Sequence, residues 1–84
     1  MSRPANEIVA QALRRVREGK VPCTEPHKEF GGPGENTSCD ICGRLIVDKE
    51  IEIEAVYPEV GSLFFHVACM AALRAACAEL QSSP

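Results

Sequence analysis

Two short pairs of metal-ligand residue types constrain this chain more than any other feature. They are CDIC at residues 39–42 and HVAC at residues 66–69, separated by 23 residues. In CDIC two residues part the thiols, so a tight turn can aim both at one point. Gly43 follows at once and permits the positive φ that such a knuckle needs. His66 and Cys69 are three apart, which on the opening turn of a helix puts them on one face. Three sulfurs and one imidazole nitrogen are a donor set for tetrahedral zinc in a closed site. A lone CxxC also reads as a redox motif. The order CxxC, a hairpin-sized interval, then HxxC at a helix start is what makes the metal reading specific. The competing reading is two buried thiols and a core histidine.

The size of the chain gives the site its importance. It has 84 residues, three Phe, one Tyr and no Trp. A core that small is marginal, and such scaffolds are commonly stapled by a metal, a disulfide framework or a partner. The five cysteines are an odd number, which argues against a closed disulfide framework. MSRPANEIV carries no apolar run of signal-peptide length, and nothing approaches a membrane span. The expectation is a cytoplasmic, reducing location, where clustered Cys and His serve as metal ligands.

The rest of the chain organises around the site. Residues 1–20 read as an amphipathic helix over 4–18 packing on the core, with Pro4 in the first turn and Gly19 as its stop. Its stripe is Ile8, Val9, Ala12, Leu13 and Val16. Residues 21–38 read as a Pro/Gly-rich loop. Within 39–84, Arg44–Val47 reads as a short strand and Glu50–Tyr57 as a half-buried one, with Ile51, Ile53, Ala55 and Tyr57 on one face. Ser62–Phe65 returns as a hairpin, and residues 66–80 form a second helix. The expected class is a small α+β domain held by one zinc ion.

Two cysteines and a histidine remain. Cys77 falls about 16 Å beyond His66 along a helix axis, too far to share its ion. With Leu73 and Leu80 it lines the buried stripe of the second helix. Cys23 and His27 read as a loop thiol and a solvated imidazole, with half of a second metal site as the alternative.

Knuckle, hairpin and helix-borne ligands resemble a treble-clef zinc finger, and the resemblance covers residues 39–80. It rests on Cys39, Cys42, His66 and Cys69. The interval also resembles the first zinc half of a LIM domain, and the likeness stops there: Met70, Ala71 and Ala72 stand where the second module's ligands would begin. Treble clefs serve many functions, so the resemblance implies a fold and a zinc site, not an activity.

The functional expectation is a non-catalytic zinc module that contacts another protein. Four protein ligands leave no place for a metal-bound water, and no catalytic constellation accompanies them. The first alternative is a nucleic-acid-binding finger using Arg14, Arg15, Arg17 and Lys20, with Arg3. Residues 1–34 hold six basic and four acidic groups (net +2), whereas residues 35–84 hold three basic and eight acidic groups (net -5). The glutamates of the second part would repel phosphate, and cations at a helix C-terminus also complement its dipole. The second alternative is a redox-sensitive switch in which oxidation of Cys39 and Cys42 ejects zinc.

Overall fold

The computed structural model describes the backbone of residues 4–82 and the side chains of residues 7–82. Arg3 lies outside them. Helix α1 spans Pro4–Arg17. Its end follows from Gly19: at φ 77° it lets the chain turn back, so that Gly19 N–H donates to Val16 O (3.0 Å) and Lys20 N–H to Arg15 O (3.0 Å). These paired bonds satisfy carbonyls that the helix end would otherwise leave open. Ala12 is buried, and Ile8, Val9, Leu13 and Val16 pack around it against the core. The partner of this stripe is the second helix rather than the hairpin.

Residues 21–38 are not loop throughout. Strand β1, Lys28–Pro33, pairs antiparallel with β4, Ile51–Tyr57, in the register Lys28↔Val56 to Pro33↔Ile51. KEFGGP shows no alternation because β1 is an edge strand, exposed along nearly its whole length. Its pairing rests on backbone groups, and a proline is tolerated at an edge. Strand β5, Gly61–His66, joins the other side of β4, giving the order β1-β4-β5. Directly opposed residues share a face. Ile53 with Phe65, Ala55 with Leu63, and Tyr57 therefore turn together toward helix α2, Val67–Gln81. Ile51 belongs to the same alternation yet is 57% exposed, because it lies at the end of β4, next to the metal-ligand cluster.

A second sheet carries the knuckle. Strands β2, Thr37–Ser38, and β3, Leu45–Ile46, pair antiparallel and flank CDIC. Gly34 and Asn36 lead into it. Gly34 N–H donates to Glu50 O (2.9 Å), and Asn36, at φ 64°, donates to Ile46 O (2.9 Å). Asn tolerates that left-handed conformation better than most residues. One core joins all these parts: Ile41 and Ile46 of the knuckle, Phe65 of β5, Ala12 of α1, and Met70, Leu73 and Ala76 of α2.

The largest departure from expectation is covalent. Cys23 and Cys77 form a disulfide, with Cα atoms 5.5 Å apart, across 54 residues of sequence. Cys23 is therefore no free loop thiol. Cys77 is buried on α2 as its position implies, but as a crosslink. An odd count excludes only complete pairing, and here three cysteines stay free while two bond. A reducing compartment would not favour that bond. No described helix is long and apolar enough to cross a membrane.

Candidate metal centre

The four motif residues meet. The sulfur atoms of Cys39, Cys42 and Cys69 and one ring nitrogen of His66 all lie within 4.8 Å of one another. Two elements deliver them. The knuckle closes on itself through Cys39 N–H to Arg44 O (2.9 Å) and Gly43 N–H to Cys39 O (3.0 Å), with Gly43 at φ 81° as expected. Asp40 then clamps the knuckle to β5. Its N–H donates to Phe64 O (2.8 Å) and its carboxylate accepts from Phe64 N–H (2.8 Å).

His66 stands differently from the expectation. It is the last residue of β5 and the N-cap of α2, with extended backbone, so only Cys69 lies inside the helix. The two still converge, because Cys69 occupies the third helical position. There it also gains from the free N–H groups and dipole of the helix start.

The orientation of His66 follows from its contacts. Nδ1 faces the sulfurs, at 3.5 Å from Cys42 Sγ and 3.8 Å from Cys69 Sγ. Nε2 turns outward to Leu45 O (3.3 Å) and Glu50 Oε1 (3.3 Å). With two acceptors there, Nε2 carries the proton and Nδ1 presents its lone pair. Glu50 is itself held by Val47 N–H (3.0 Å). A carboxylate that fixes a ligand imidazole in this way typically contributes a factor of ~10–100 in metal affinity. Glu50→Ala should fall near tenfold, since Leu45 O remains as an acceptor. Competition with a chromophoric chelator measures it, with Glu54→Ala as the silent control, its carboxylate being engaged by Ser62 instead.

The electrostatics of the donor set call for a cation. A hydrogen bond from the Cys69 thiol, and then backbone N–H groups of Cys42, His66 and Ile41, draw the Cys39 thiol down to about 4 against the opposing effect of burial. Cys69 is pushed up by donating that hydrogen bond, by burial, and by the charge of its sulfur neighbours. Without a cation, then, one sulfur ionises at the expense of the next. A divalent ion removes that conflict, and Ile41 N–H, 3.4 Å from Cys39 Sγ, is already placed to share the resulting charge. Cys42, through hydrogen bonding and charge, holds Arg44 above its ordinary pKa. The residues present fit a metal ion.

The other sequence candidates disperse. Arg15 Nε donates to Ile41 O (3.2 Å), tying α1 to the knuckle. Glu18 lies 4.0 Å from Arg15 and 3.7 Å from Lys20. Arg14 faces a cavity shared with Arg44, Glu7 and Cys42, and Arg17 is exposed. His27 is exposed in the segment leading into β1, where its N–H donates to Val56 O (2.7 Å), and it takes no part in the cluster. Glu50 and Asp40 are the contributors that sequence reasoning missed, and Arg15, read there as part of a basic contact, ties α1 to the knuckle. The Glu50 carboxylate had no signal of its own, standing just before β4 in a run of alternating glutamates. Comparison with known proteins returned no match among family models, curated proteins or solved structures.

Proposed function

We propose that this domain is a treble-clef-like module built on one structural zinc ion, without catalytic activity, whose role is to contact another protein. The observation that carries the zinc reading is the spacing of the donors. Sulfur at ~2.3 Å and nitrogen at ~2.05 Å around a tetrahedral zinc stand about 3.6 Å apart. The two sulfur-to-Nδ1 distances of 3.5 and 3.8 Å bracket that value. A site filled by four protein donors also leaves no ligand position for a substrate or a reactive water. Cys39 and Cys69 belong to the hydrophobic core as well, which ties metal binding to folding.

The protein-contact reading rests on what surrounds the site. Leu45, Val47, Ile51 and Val67 are 40–57% exposed, and they flank Glu50 and His66. Exposed apolar side chains gathered in one place are a mark of interaction surfaces. Elemental analysis and native mass spectrometry test the metal, with one zinc per chain expected. Protein that is metal-free, fully ordered and indifferent to chelator would end the zinc reading. Ile51→Glu with Val67→Glu tests the surface. These changes should keep the zinc and abolish self-association or partner binding seen with the unaltered chain; binding that survives both would end the surface reading.

A further inference from the structure

We infer that Cys23 and Cys77 form a second, thiol-reactive centre, distinct from the metal cluster. Reduction by a small thiol or dithiol there releases residues 22–26 from α2 and opens the cavity they border, with the buried Val21 as the fixed end of the segment. Three observations carry this.

The first is access. The disulfide lies in the wall of a cavity of about 460 Å³ that is bordered by Tyr57, Met70, Leu73 and Arg74. Cys77 is 8% exposed on a regular helix, while Cys23 is more exposed and sits in an irregular segment. An attacking thiolate therefore reaches Cys23 Sγ first.

The second is tethering. Among the described residues, no backbone hydrogen bond outside helices and strands involves residues 21–26. Such bonds stop at Lys20 N–H to Arg15 O and resume at His27 N–H to Val56 O. What holds the segment is the buried Val21 side chain, a bond from Thr24 Oγ1 to Glu59 Oε2 (2.7 Å), and the disulfide. A segment with so few attachments opens locally at low cost.

The third is separation. Cys69 and Cys77 share α2 but stand about 12 Å apart along its axis, at eight residues of 1.5 Å each. Opening one bond can leave the other centre intact.

The chemistry is thiol–disulfide exchange. A reductant thiol loses its proton to solvent and its thiolate attacks Cys23 Sγ. The Cys23–Cys77 bond breaks, and Cys77 leaves as a thiolate that takes up a proton. A second reductant thiolate then attacks the reductant sulfur of the mixed disulfide and frees Cys23. Two thiols become one disulfide, and the protein gains two thiols.

The test uses the protein as isolated, without denaturant. It is incubated with millimolar reduced glutathione, quenched with an alkylating agent at increasing times and mapped by mass spectrometry. Metal content and amide hydrogen exchange are followed in parallel. The expected result is an early glutathione adduct on Cys23, then free Cys23 and Cys77, with the metal retained. Exchange of the His27 amide, whose bond to Val56 O borders the segment, rises roughly tenfold or more while the knuckle is unchanged. The double variant Cys23→Ser with Cys77→Ser should bind metal and show the same exchange pattern without any thiol. A bond that yields only in denaturant overturns the proposal. So does reduction that expels the metal or unfolds the domain, because the crosslink is then a brace for the whole fold.

Discussion

Cys69→Ser is expected to leave the domain without bound metal and largely unfolded at 25 °C. Cys69 is 1% exposed, sits in the first turn of α2 and supplies one of four converging donors. Structural zinc sites of this kind bind with an apparent ~10–16 kcal/mol at neutral pH, and that energy is folding energy. A whole domain is stable by only about 5–15 kcal/mol. Losing the site therefore exceeds what the remaining core can offset. The contrast is Cys77→Ser. Closing a loop of 54 residues is worth about 4 kcal/mol on the chain-entropy estimate. The ligands lie inside that loop, so a metal that stays bound as the chain opens shortens the path and lowers the figure to roughly 3.5 kcal/mol. Cys77→Ser should keep one metal per chain at reduced stability. Far-UV circular dichroism with metal analysis separates the two variants. Metal lost from Cys77→Ser and kept by Cys69→Ser would sink the ligand assignment.

Gly34→Ala is expected to destabilise the metal-loaded domain by about 3–5 kcal/mol, a size reserved for changes that force the backbone to move. A Cβ at Gly34 would overlap the carbonyl oxygens of Ile46 and Val47. Those are backbone atoms of β3 and its exit, so no rotamer change relieves the overlap. Ile46 O is also the acceptor for Asn36 N–H, and β3 is one rail of the knuckle that carries Cys39 and Cys42. The damage therefore extends from the crossing to the metal ligands. Gly31→Ala supplies the control. A Cβ there meets nothing within 4 Å, and the expected change is within about 0.5 kcal/mol. Urea titration of both variants measures the difference, read as a shift in midpoint at unchanged slope.

Much of the site was legible because its residues speak through short-range spacing. Cys39 and Cys42 with Gly43, and His66 with Cys69, are local patterns whose geometry follows from a turn and a helix start. The same holds for α1, whose stripe and Gly19 terminator act over a few residues, and for the alternation of β4. Where His66 lies was misjudged by one residue, as the sequence has no marker separating the last residue of a strand from the first of a helix. Strand β1 was missed for a different reason. Its residues make no buried face, and only the backbone of β4 recruits them. The disulfide was missed because an odd cysteine count was weighed as a whole, although assigning three cysteines to the cluster leaves a pair.

The sequence by itself determined the two ligand pairs, the knuckle, the two helices and the central strand, since each is written in contacts between residues a few positions apart. Only the tertiary structure decided that α1 packs on α2, that Arg15 reaches Ile41, that Glu50 and Leu45 orient His66, and that Cys23 meets Cys77. Each of those joins residues at least 16 positions apart, the shortest span being that of the Glu50–His66 pair. Such contacts depend on how preformed elements stack around a shared core, and local propensity carries no record of that.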